Sequence, residues 1–249
     1  MNPCVNMSES DCSIRKENLL LGLKFVKNVG VNHANNIVKE RITNGLYKSV
    51  SDFIYRTTIG MEALESLVMA GVFDNLSTNR KSILWEVGLY KNSSNSQISL
   101  PMDMENEIPY MADFTPYEKM IGEYRSMAIY PKGQIMEFIR KRLSENVVNT
   151  RDVYLKEEGE SLLVAGWVIA RQHPRGAQGA IFVTIEDEFA DLQLIIWPHV
   201  INDVKYVLRE AVIIAEGKIS RWDGTTNLVV SRMYPVSLDI DMPMTHDWH

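Results

Sequence analysis

Apolar and polar positions follow two different rhythms along this chain. Up to about Leu143 the apolar residues recur mostly at helical spacing, and from Leu162 onward they fall in short runs and two-residue alternation. In the first part, Leu19, Leu20, Leu23 and Val26 predict a helix that starts near Asn18 and breaks at Asn28-Val29-Gly30. A second helix follows from about Asn32 to Arg41, with Ala34, Ile37 and Val38 on one side, and stops near Asn44-Gly45. Ser51-Asp52-Phe53 marks another helix start. Met61, Leu64, Leu67 and Val68 form the apolar stripe of a helix bounded by Gly60 and Gly71. The next helix, about Asn79 to Tyr90, carries Ile83, Leu84, Trp85 and Val87 as core residues. Asn92 to Asn106 is Ser/Asn-rich and lacks periodicity, as a linker or long surface loop does. Thr115-Pro116 opens a helix to about Arg125, and Gln134 to Leu143 forms one more. Its basic run Arg140-Lys141-Arg142 suits a solvated face or, alternatively, a phosphate backbone.

The second part reads as strands. Leu162 to Arg171 is apolar and rich in β-formers, and ends in the turn-prone Gln172-His173-Pro174-Arg175-Gly176. From Ala180 to Asp187, Ile181, Val183 and Ile185 share one face, and Phe182 lies on the polar one. Asp191 to Trp197 is a third strand, stopped by Pro198. Val200, Ile201, Val204, Val207 and Leu208 fall at helical spacing. A fourth strand spans Ala211 to Ile219, and Asp223-Gly224 marks the hairpin turn into a fifth, Asn227 to Val236.

Three strands, a helix and two strands is the order of an oligonucleotide/oligosaccharide-binding (OB) barrel, whose working surface is the face of strands two and three between the first-to-second and fourth-to-fifth loops. Here those loops are Gln172 to Gly179 and Arg221 to Asn227. Arg171, Arg175, Arg221 and Arg232 are candidates to neutralise phosphate, and Phe182, Trp197 and Trp222 to stack bases at about 1–3 kcal/mol each. The alternative assigns Trp197 to the core, Phe182 to a barrel end and the arginines to solubility.

Around Gly30 the order helix, tight turn, helix matches a helix-hairpin-helix motif. Such a turn aims backbone N–H groups of a helix N-terminus at a phosphate without reading sequence. Lys24 and Lys27 precede the turn, and Asn28 stands where the motif has its first Gly, a substitution that a residue tolerant of left-handed backbone permits. Lys24, Lys27, Asn28 and Gly30 are therefore the candidate duplex contacts; the alternative is a hairpin kept for packing.

Charge modifies this picture. The net charge is −6, which weighs against a strongly nucleic-acid-binding surface. Locally, Arg15 to Lys91 holds 11 Lys+Arg against 7 Asp+Glu, whereas the barrel holds 7 against 8, so a barrel contact would rest on a few placed arginines. The start lacks a basic region followed by an apolar core, and no apolar run reaches the ~18–20 residues of a membrane span, so a cytoplasmic protein with no membrane contact is expected. Cys4 and Cys12 lie away from any zinc-spaced cluster, and no disulfide, metal or cofactor is expected.

The expected chain is α+β: an unpartnered polar lead (1–14), an all-α helix-hairpin-helix domain (15–91), a linker with connecting helices (92–161), a five-stranded OB barrel (162–237) and a tail (238–249).

Several stretches together resemble one family. Leu21 to Gly30, Ser51-Asp52-Phe53, and Ala70-Gly71-Val72-Phe73-Asp74-Asn75-Leu76 followed by Asn79-Arg80-Lys81 are similar to the C-terminal part of bacterial C-family DNA polymerases, the alpha subunit of DNA polymerase III. Leu84 to Gly88, Gly166-Trp167-Val168, Ile195 to Pro198 and the ending Thr245 to His249 look more like its error-prone, translesion branch. The resemblance implies an accessory part of a DNA-directed DNA polymerase, a nucleotidyltransferase whose catalytic carboxylates lie upstream in a palm domain. No closely placed carboxylates suited to two metals appear here, and Glu157-Glu158 and Glu186-Asp187-Glu188 read as solvated turn residues, so no catalysis by this chain alone is expected. Expected partners are single-stranded DNA, duplex backbone and, on an alternative reading as an interaction module, other replication or mutagenesis proteins.

Overall fold

The computed structural model describes residues 1–15, 17–94, 111–174, 176, 178–222 and 224–236. Arg175, Asp223 and the tail lie outside the described residues, as does most of the expected 92–106 linker. The chain divides into two compact units, Met1–Lys132 and Gly133–His249.

The first unit is helical: α1 (Gly30–Asn44), α2 (Val50–Arg56), α3 (Met61–Met69), α4 (Arg80–Ser94) and α5 (Pro116–Met127), after a short hairpin of β1 (Ser13–Arg15) and β2 (Asn18–Leu20). Local chemistry fixes the helix starts. Ser49 caps α2 by accepting from the Asp52 N–H. Thr115 and Glu118 form a reciprocal capping box on α5, with Pro116 in its first turn. The apolar stripes read from sequence meet in one core that includes Leu23, Val26, Ala34, Ile37, Leu64, Leu67 and Ile83. Within it Tyr47, Phe53 and Phe73 stack edge to face in sequence, each pair of centroids 5.0 Å apart.

Two expectations for this unit change. No α-helix forms from Asn18 to Lys27; that stretch is β2, then a single 3₁₀ turn at Leu23–Phe25. The polar lead is the cause, and it is not without partners. The N–H groups of Leu21, Leu23 and Lys24 donate to the carbonyls of Met1, Glu9 and Ser10, which removes them from a helical ladder. Val5 and Ser8 are fully buried, and Arg41 from α1 donates to the carbonyls of both. The lead thus belongs to the helical unit, and local helical spacing yields to tertiary backbone pairing.

The second unit is the barrel with short helices: α6 (Met136–Arg140), β3 (Val147–Val148), α7 (Thr150–Leu155), β4 (Ser161–Gln172), β5 (Ile181–Glu186), β6 (Asp191–Ile196), α8 (Pro198–Val204), β7 (Val212–Trp222) and β8 (Thr225–Pro235). The strand order β4-β5-β6-β8-β7 returns to β4, with β6 and β8 parallel and the other barrel pairs antiparallel. This closed five-stranded barrel has the OB order, and the fold class is α+β. Its inward residues include Val164, Val183, Ile185, Leu192, Leu194, Ile213, Leu228 and Val230, with Val153 from α7 and Val200 and Val204 from α8 added to the same core.

The acidic turn after β5 departs from the solvated reading. Asp187 is 2% exposed and accepts from the Thr150 N–H at 2.7 Å, the Phe189 N–H at 2.9 Å and Arg140 Nη2 at 2.9 Å. Arg140 also pairs with Glu188. The first residue of the basic run is therefore half-buried and committed to an ion pair that ties α6 to the barrel, which departs from the solvated face, one of the two readings of the sequence.

Candidate nucleic-acid interface

In the helical unit, the candidate residues gather at one turn. Asn28 (φ 66°) and Gly30 (φ 63°) both hold left-handed backbone, so Asn28 adopts the conformation for which the motif uses glycine. Helix α1 begins there with Val29 at its N-cap, whose side chain makes no cap hydrogen bond. The first N–H groups of a helix lack intrahelical partners, and the positive end of the helix dipole lies at the same point. A Cβ built on Gly30 would meet nothing within 4 Å, so the approach is open. Lys27 and Asn28 are exposed. The Lys27 N–H is held by the Ser126 carbonyl at 2.7 Å, and the Asn28 amide reaches Ser66 Oγ at 3.4 Å. Lys24 is half-buried, paired with Asp11 and placed over the Phe25 ring. Of the two lysines, Lys27 is the exposed one.

In the barrel, alternation along each strand sorts the expected residues. Because Val183 and Ile185 point inward, Phe182, Thr184 and Glu186 point outward and are half-exposed. On β6 the outward set is Asp191, Gln193 and Ile195, and on β8 it includes Asn227 and Val229. Register lines these up across four strands. Phe182 is opposite Ile195, Ile195 opposite Val229, and Val229 opposite Lys218. One step along, Thr184 is opposite Gln193, Gln193 opposite Asn227, and Asn227 opposite Ser220. A row that is apolar from Phe182 to Val229 and ends in the exposed Lys218 therefore runs beside an uncharged hydrogen-bonding row. Trp222, at the end of β7, is 80% exposed, and Trp197, just beyond β6, is 37% exposed rather than core.

The arginines are placed differently from the aromatic residues. Arg171 pairs in register with Val183, not with Phe182. Its Nε donates to the Leu208 carbonyl at 2.6 Å and its Nη2 to that of Glu210 at 2.8 Å, so it closes the 3₁₀ turn before β7. Arg221 donates to the carbonyls of Tyr154 and Lys156 at the end of α7, while its own N–H lies 3.4 Å from Glu158 Oε1. Arg232 pairs across from Glu216, past the stretch where β8 adjoins β6. The outer face of β5 and β6 thus gathers Phe182, with Trp197 at its edge, and draws little positive charge from Arg171, Arg221 or Arg232.

The polar row escaped the sequence reading. Its signal was present: Gln193 shares the phase of Ile195, and Asn227 that of Val229, two residues away in each case. Only the strand register sets those residues next to one another.

Comparison with known proteins agrees with this architecture. A family model described as a helix-hairpin-helix motif matches residues 1–83, and one described as an OB-fold nucleic acid binding domain matches residues 162–236. Error-prone DNA polymerase 3 of Agrobacterium fabrum is 26% identical over 95% of this chain and 23% of its own length. The error-prone DNA polymerase of Bradyrhizobium diazoefficiens is 31% identical over 83% of this chain and 18% of its own length. That of Mycobacterium tuberculosis is 25% identical over 96% of this chain and 22% of its own length. The chain therefore spans about a quarter or less of the curated relatives it matches. It is a helix-hairpin-helix and OB-fold chain, homologous along 95% of its length to a segment of error-prone DNA polymerases.

Proposed function

We propose that this chain is the accessory DNA-binding region of an error-prone DNA polymerase of the polymerase III alpha type, active in the cytoplasm in replication and translesion repair synthesis. The α1 turn holds duplex backbone through Lys27 and the N–H groups from Gly30 onward. The barrel takes single-stranded template across β5 and β6. The chain itself performs no nucleotidyl transfer, which belongs to the palm of the parent polymerase.

The observation that carries this reading is the outward row of Phe182, Ile195 and Val229, with the exposed Trp222 on the fourth-to-fifth strand hairpin beyond the neighbouring row of Asn227 and Ser220. An apolar platform and, further along the hairpin, an exposed indole suit stacked bases, each contributing about 1–3 kcal/mol. The test is fluorescence anisotropy of labelled single-stranded and duplex DNA at two salt concentrations, with tryptophan emission followed in parallel. Single-strand binding that quenches tryptophan and weakens when Phe182 and Trp222 are both replaced by Ala is the expected result. Unchanged affinity in that double variant would remove the barrel assignment.

A second reading, a docking module for other replication or mutagenesis proteins, is favoured by the engagement of Arg171 and Arg221 with backbone carbonyls. Capture of a defined replication protein that persists at high salt, without DNA binding at low salt, would select it.

A further inference from the structure

Asn227 is an unusual residue on the barrel's outer face. It points outward, since its neighbour Leu228 lies in the core, yet it is 6% exposed. Its Nδ2 makes one long hydrogen bond, 3.4 Å to the Thr225 carbonyl, and its Oδ1 is buried and accepts none. A buried polar atom without a partner costs about 1–3 kcal/mol, so folding alone gives no reason to keep an amide there. The residues in register beside it are Gln193 on β6 and Ser220 on β7, and Thr184 lies one strand further. All three are half-exposed and uncharged.

We infer that Asn227 and Gln193 form a base-edge subsite that prefers adenine in single-stranded DNA. The inference rests on the reading of the barrel as a single-strand binder. Its chemistry is separate from stacking. A carboxamide presents one acceptor and one donor side by side, matching the N6 amino group and N7 of adenine, and this pairing recurs wherever Asn or Gln reads that base. The Asn227 amide has its acceptor unused and its donor weakly used. The adjacent apolar row of Phe182, Ile195 and Val229 supplies the platform against which the ring of the same nucleotide lies. Thymine offers an acceptor and a methyl group at the corresponding edge, which satisfies the amide donor but leaves the amide acceptor, Oδ1, without its complement.

The experiment compares binding of labelled homopolymeric dA, dC and dT oligonucleotides, each about 15 nucleotides long, to the full chain at fixed low salt. Wild type is expected to bind dA about tenfold more tightly than dT, and Asn227→Leu to bring that ratio to within about twofold with dT affinity retained. If Asn227→Leu fails to fold, as judged by thermal melting, Gln193→Leu at the half-exposed neighbour carries the test and is expected to lower the same ratio. Equal affinity for dA and dT in wild type, or an unchanged ratio in the folded variant, would overturn the subsite while leaving the barrel a single-strand binder. No binding to any of the three oligonucleotides would overturn the parent reading and the subsite together.

Discussion

Arg80 and Asp74 meet in a two-pronged ion pair, Nε to Oδ1 at 2.8 Å and Nη2 to Oδ2 at 2.6 Å. Arg80 is fully buried and also donates to the Met69 carbonyl and to Glu123, itself fully buried. Burial opposes the Arg80 charge, and the bonds to Asp74 and Glu123 outweigh that opposition, so its pKa lies above the ordinary arginine value. Replacing Arg80 by Met removes the cation and leaves the buried Glu123 carboxylate, among the described residues, with Lys132 at 3.3 Å as its one remaining cation. A loss of about 3–5 kcal/mol is expected, read as a lower urea midpoint with an unchanged slope. A midpoint equal to wild type would show that the pair contributes no net stability. Gly71 faces the same group. It holds φ +78°, and a Cβ there would lie 2.2 Å from Arg80 Nη2. Part of the cost of Gly71→Ala should therefore vanish in the Arg80→Met background, a non-additivity that a double-mutant cycle measures.

The same stretch shows what the sequence conveyed. Ala70-Gly71-Val72-Phe73-Asp74 and Asn79-Arg80 were visible as a family signature, and the reason for Asp74 and Arg80 was not. Six residues of separation carry no rule that closes a buried ion pair; α3, α4 and α5 must pack before Glu123 completes it. Barrel order was readable because strands two and three alternate and because Gly or Pro stands in the first-to-second loop, after strand three and in the fourth-to-fifth hairpin. The outward position of Phe182 was readable from its phase, as the aromatic out of step with its core neighbours. That Arg171 and Arg221 hold backbone carbonyls was not legible, because phosphate binding and carbonyl capping call for the same guanidinium. Asn227 and Gln193 stayed hidden because adjacency across strands depends on register.

Tyr47 gives the helical unit an alkaline limit. Its ring is buried against Phe53, and its hydroxyl donates to the Ile37 carbonyl at 2.9 Å. Burial pushes its pKa up to about 12 from an ordinary value of 10.0, with the Arg56 guanidinium over the ring pulling the other way. The unfolded chain releases this proton first as pH rises. The stabilisation is therefore complete below the ordinary value and is lost as pH climbs through the folded one, amounting to roughly 2–3 kcal/mol at most. Urea midpoints of wild type should fall between those two pH values more steeply than midpoints of Tyr47→Phe. Parallel declines in the two proteins would show that other groups set the alkaline limit.

Arg171 and Trp222 should separate stability from binding. Arg171 holds two carbonyls at the 3₁₀ turn, so Arg171→Ala is expected to cost about 1–3 kcal/mol of stability and little single-strand affinity. Trp222 is 80% exposed, so Trp222→Ala should leave stability within about 0.5 kcal/mol and weaken single-strand binding by about 1–3 kcal/mol. Denaturant titration and anisotropy on both variants decide this. A binding loss confined to Arg171→Ala would return phosphate contact to the barrel rim.

The α1 turn allows a matched pair of substitutions. Asn28 and Gly30 both sit in left-handed backbone, yet only Asn28 carries the side chain that such backbone disfavours. Asn28→Gly removes that local cost, up to about 1 kcal/mol, and gives up the 3.4 Å contact with Ser66. Gly30→Ala imposes the cost, about 1 kcal/mol, although the space around it is open. If the N–H groups that follow grip a phosphate, Gly30→Ala also turns them out of line, and duplex affinity should fall several-fold while single-strand affinity at the barrel stays constant. Duplex and single-strand anisotropy on the same preparation reads both. Equal duplex affinity for Gly30→Ala and wild type would leave the turn a packing element, with Lys27 a solvated cation on its rim.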